Sequence, residues 1–78
     1  MFVVSIGDKT DNERREQSFD SYNEAIKFFK RNRTIKRNYG KYIKLFSMDG
    51  ERRLLRVSTN TGADISGDMF IQLLSKNN

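Results

Sequence analysis

Between Lys27 and Lys44 the chain carries eight cations, Lys27, Lys30, Arg31, Arg33, Lys36, Arg37, Lys41 and Lys44, and no acid. Like charges at this density repel one another, a cost that a polyanion would offset. A phosphate backbone suits such a run, because each Lys or Arg set against a phosphate releases condensed counterions. Each contact then contributes about 0.9 to the log–log salt slope of affinity on duplex DNA. Asn32, Asn38 and Tyr39 lie inside the run as candidate hydrogen-bonding and stacking groups. The plainer alternative is a solvated helix face and loop that keep the chain soluble.

A second group follows in Tyr42, Lys44, Phe46, Arg52 and Arg56, where aromatics interleave with cations. Shared by one sheet face, they would stack bases and contact phosphates. Catalysis has little to work with, since the chain contains neither His nor Cys and so lacks the commonest general base and the strongest side-chain nucleophile. Gly7, Gly40, Gly50, Gly62 and Gly67 are scattered and form no phosphate-cradling loop. Asp8, Asp11 and Glu13 do not have the spacing of a calcium loop. The expectation is a non-enzymatic protein without metal or cofactor.

These side chains need elements to hold them. Phe2–Ile6 is β-branched and aromatic and reads as a strand, followed by a polar loop over 7–12. Glu13–Phe19 is charged and reads as an edge strand, the position that tolerates charge. Ser21-Tyr22-Asn23-Glu24 matches a capping box, so a helix starts at Tyr22. Tyr22, Ala25, Ile26 and Phe29 recur at helical spacing, while Lys27, Lys30 and Arg31 face away. The helix is expected to end between Asn32 and Asn38. Tyr42–Ser47 and Arg52–Ser58 flank Asp49-Gly50 and read as a hairpin. Residues 59–64 read as loop, and Met69, Phe70, Leu73 and Leu74 form the stripe of a short C-terminal helix with Ser66 as its N-cap.

Register decides which hairpin side chains share a face. A two-residue loop gives a mixed face. A three-residue loop with Gly50 left-handed pairs Ser47 with Glu51 and gathers Ile43, Leu45, Leu55 and Val57 toward the helix. Tyr42, Lys44, Phe46, Arg52, Leu54 and Arg56 then lie opposite. That second face is either an open nucleic-acid platform or a second core layer covered by the C-terminal helix.

The fold class expected is α+β, a small antiparallel sheet in the order strand-strand-helix-strand-strand, with the main helix on one face and a short C-terminal helix. At 78 residues the chain is expected to be one domain spanning 1–78, with a core that seldom supplies more than about 3–5 kcal/mol. Homodimerisation or a bound partner would supplement it. Residues 1–24 net −3, residues 25–56 net +9 and the rest −1, giving +5 and a pI near 9.8. The partners this asymmetry suits are nucleic acid, DNA or RNA, or an acidic protein surface. No segment has the about 20 apolar residues needed to cross a bilayer, and no secretory signal opens the chain, so a cytoplasmic protein without a membrane partner is expected.

In size, absence of Cys and His, and Lys/Asn-rich composition the chain resembles small phage-encoded accessory proteins, some of which inhibit host nucleic-acid enzymes. The likeness lies in composition and layout alone. It implies a second reading, an inhibitor or adaptor that docks on an acidic or nucleic-acid-binding groove.

Overall fold

Ser21 stops one chain direction and starts another. Its backbone is extended (φ −110°, ψ 135°) and its Oγ accepts the Glu24 N–H at 3.3 Å, so an otherwise orphaned amide of the first helical turn is satisfied. Helix α1 runs Tyr22–Asn32 from this cap, as the capping box predicts. In the computed structural model, residues 1–8, 14–38, 40–59, 62 and 64–76 are described, without the side chains of Arg37, Leu74 and Lys76. Tyr39 and the acids Asp11 and Glu13 lie outside the described residues; Asp8 is exposed.

Strand β1 spans Phe2–Gly7 and β2 Arg14–Phe19; after α1 and a 3₁₀ turn at Lys36–Asn38 come β3 (Tyr42–Ser47), β4 (Arg53–Thr59), β5 (Asp64–Ser66) and helix α2 (Gly67–Lys76). All pairings are antiparallel in one five-stranded sheet ordered β2-β1-β3-β4-β5. The α+β class and element order expected from the sequence are those found. One strand was not anticipated: Asp64–Ser66 forms β5, because Ile65 pairs with Val57 at the β4 edge. Three residues with one aliphatic carry no strand signal of their own.

Alternation along β1 builds both layers. Val4 and Ile6 face α1, where with Ile43 and Leu45 of β3 they enclose Ala25 and Phe29, and Phe2, Phe19, Ile26, Phe28 and Leu55 pack around them. Val3 and Ser5 point the other way and are also buried.

The hairpin register differs from expectation. Gly50 does adopt the left-handed conformation, at φ 83°, but Ser47 pairs with Arg53, and the register shifts between Leu45 and Phe46. Leu55 is the extra residue of this bulge. It keeps Leu55 with the α1 core, sends Val57 to the opposite face beside Lys44, turns Arg56 toward α1, and leaves Arg52 in the loop. Burial drives the change: Val57 and Leu54 both come under α2, while Arg56 reaches Asp64.

Helix α2 covers the β4–β5 half of that second face. Ser66 Oγ accepts the Met69 N–H at 3.2 Å, the cap expected from the sequence, and Phe70 inserts beside Tyr42 with ring centroids 6.1 Å apart. Close approach depends on Gly67, whose added Cβ would strike the Leu54 carbonyl oxygen. Gly67→Ala is therefore expected to lift α2 from the sheet and cost about 1–3 kcal/mol, read as a lower denaturation midpoint with increased dye binding to exposed apolar surface.

Candidate nucleic-acid interface

Topology brings cations from distant parts of the chain to one end of the sheet. Gly7, Arg14, Tyr42 and Thr59 lie at one end, and Phe2, Phe19, Ser47 and Arg53 at the other. The C-terminus of α1 and the 3₁₀ turn join the first end, which gathers Arg31, Arg33, Lys36 and Lys41. Asp20, Asp49 and Glu51 belong to the second, together with Arg52 and Arg53.

Lys27, Lys30 and Arg31 follow at i, i+3 and i+4 and share one outward stripe of α1, all exposed. Lys36 is exposed on the 3₁₀ turn, and Lys41 stands exposed before β3. None of these five has an ion-pair partner among the described residues.

A buried asparagine pair fixes the turn that carries Lys36. Asn38 Nδ2 donates to Asn32 O at 3.1 Å and to Asn32 Oδ1 at 3.0 Å, and Asn32 Nδ2 donates to Phe28 O at 2.8 Å. With 2% and 0% exposure, Asn32 and Asn38 are internal supports rather than nucleic-acid contacts. Arg15 Nη2 donates to Asn38 Oδ1 at 2.9 Å, so β2 is tied to the same turn. Arg14, Arg15, Lys41 and Ile6 line a surface hollow of about 280 Å³. Arg14 and Arg15 belong to the acidic N-terminal third, which is why charge counting along the chain misses them. Only the antiparallel return of β2 beside β1 brings them here.

Other candidates are already engaged. Arg33 caps α1 and reaches across to β4 and β5: its Nε donates to Ser58 Oγ at 2.8 Å, its Nη2 to Gly62 O at 3.0 Å, and its Nη1 lies 3.7 Å from Asp64 Oδ2. Arg56 donates to both Asp64 oxygens, through Nε at 3.1 Å and through Nη2, and its guanidinium lies 5.6 Å from the Phe29 ring centroid. Burial opposes the charge of Arg56, but hydrogen bonds with Asp64 and Tyr22 outweigh it and raise its pKa above the ordinary value. Asp64 thus clamps α1 to β4 and β5 through two arginines. Asp64→Ala leaves both guanidiniums half-buried without their carboxylate and is expected to cost about 2 kcal/mol, measured by urea denaturation.

The aromatic platform expected on the hairpin is not open. Tyr42 lies against Phe70, and Lys44, 6% exposed, has its Nζ 5.7 Å from the Phe70 ring centroid. Phe46 is 8% exposed beneath Arg52, whose guanidinium sits 4.0 Å from the ring centroid and 3.4 Å from Glu16 Oε2. Arg14 Nε meets the other Glu16 oxygen at 2.6 Å. Arg56 is on the far face. The bulge at Leu55 and the docking of α2 together break up the aromatic and cationic face that the three-residue loop implied. Tyr39 and the side chain of Arg37 lie outside the described residues.

Comparison with known protein families, curated proteins and solved structures finds no match for the chain.

Proposed function

We propose that this is a non-enzymatic nucleic-acid-binding protein whose contacts go to phosphates through Lys27, Lys30, Arg31, Lys36 and Lys41, flanked by Arg15. The observation that carries this reading is that five cations, on the outward stripe of α1, the 3₁₀ turn and the residue before β3, are exposed and hold no ion pair among the described residues. Internal ion pairs and hydrogen bonds account for Arg33, Arg52 and Arg56; among the described residues no ion pair accounts for these five. Lys30 and Arg31 gain something from the negative end of α1, worth about 0.3–1 kcal/mol each, but Lys27 and Lys41 lie outside that last turn.

With Tyr42 and Phe46 packed away, base stacking on the sheet is excluded from the mode of binding, and backbone contact remains. Sequence preference is therefore slight. Fluorescence anisotropy with a mixed-sequence DNA duplex, single-stranded DNA and RNA at low salt tests it. All three are expected to bind, with affinities within about tenfold of one another, as phosphate contacts without base readout require. Failure of all three to bind removes the proposal and leaves docking on an acidic protein groove as the surviving use of the surface.

A further inference from the structure

Strand β2 is an edge strand, six residues long, and Arg14 through Ser18 are exposed along it. It contains no proline and pairs with β1 without a register shift. Helix α1 lies more over β1 and β3 than over β2, and among the described residues no strand pairs with the outer rim of β2. One row of backbone N–H and C=O groups therefore faces solvent, the usual template for adding a strand. Charges on an edge ordinarily discourage that, so their order matters more than their presence.

Two copies of β2 that pair antiparallel in one continuous sheet under a two-fold axis must keep each face on its own side, since directly opposed residues point the same way. The axis then passes through a residue. An axis at Arg15 opposes two arginines, an axis at Glu16 opposes two glutamates, and an axis at Ser18 sets Glu16 against Asp20. Among axes at residues 14 to 18, the one at Gln17 alone opposes no like charges. It places Gln17 opposite its own copy, Glu16 opposite Ser18, Arg15 opposite Phe19 and Arg14 opposite Asp20, each of the last three twice by symmetry. The segment Arg14–Asp20 is thus complementary to itself in one register, with a carboxylate facing a guanidinium at both ends, a guanidinium facing an aromatic inside them, and an amide pair at the centre.

We infer that the β2 edge is a homodimer interface, joining two sheets into one of ten strands through an antiparallel β2–β2 pairing centred on Gln17. The two-fold axis runs perpendicular to the sheet, so both α1 helices stand on the same side and their outward cation stripes face the same direction. The inference stands on the β2 edge and does not rest on the nucleic-acid reading.

The chain has no cysteine, so single cysteines report the register directly. Directly opposed antiparallel residues have Cα atoms about 4.5–5.5 Å apart, within the about 4.4–6.8 Å that a disulfide accepts, whereas Ser18 and its own copy are offset beyond that reach. Gln17→Cys is expected to oxidise to a covalent dimer in the absence of nucleic acid, and Ser18→Cys to remain uncrosslinked. Asp20→Arg sets two like-charged pairs across the interface and is expected to weaken dimerisation of the otherwise unmodified chain at least about tenfold by sedimentation equilibrium, with an unchanged circular dichroism spectrum. Equal crosslinking of the two cysteine variants, absence of crosslinking in both, or a sedimenting monomer at hundreds of micromolar overturns the interface.

Discussion

Glutamate placed together at positions 27, 30, 31 and 36 is expected to weaken duplex binding at least about 100-fold at about 50 mM salt, because each reversed site loses a counterion-releasing contact and gains a repulsion. Lys27, Lys30, Arg31 and Lys36 are exposed and hold no ion pair among the described residues, so the variant breaks none there. The helix-end terms of Lys30 and Arg31 are lost as well, and thermal unfolding separates that modest cost from the loss of binding. Arg53→Glu provides the contrast. Arg53 is also exposed but sits at the opposite end of the sheet, near Asp49 and Glu51, and its reversal is expected to change affinity far less than Lys30→Glu. Equal effects of the two single reversals would mean that net charge alone governs the interaction.

Phe29→Ala is expected to leave most molecules unfolded at 25 °C. Phe29 is fully buried at the centre of the α1 core, between Val4, Ile6, Ile43 and Leu45, and the Arg56 guanidinium lies against its ring. Truncating a buried phenylalanine costs about 3–5 kcal/mol, the whole of what a core this size supplies. The loss reaches beyond packing, since the same ring backs the Asp64 clamp that joins α1 to β4 and β5. Circular dichroism should show helix and sheet signals lost together. A cooperative transition near that of the parent protein would show that α1 does not hold the sheet in the way described.

Much of this fold was legible because the determining residues are close in sequence. Ser21 and Glu24 announce the start of α1, Asp49-Gly50 announces the hairpin, and Ser66 announces α2. The register was not, because the bulge at Leu55 is set by distant partners: α2 covers Leu54 and Val57, and Asp64 draws Arg56 to the other face. The same distinction runs through the candidate site. Helical spacing was enough to group Lys27, Lys30 and Arg31. No local signal could show that Arg33 and Arg56 share one carboxylate, that Asn32 and Asn38 hydrogen-bond to each other in the interior, or that Arg14 and Arg15 return to the basic end across a sheet.

The salt dependence of the unmodified protein's affinity for a DNA duplex tests the central claim most directly. Four to five exposed phosphate contacts predict that log K falls against log salt with a slope of about −3.5 to −4.5. A slope near zero, with affinity retained at high salt, would contradict an interface made of Lys27, Lys30, Arg31, Lys36 and Lys41.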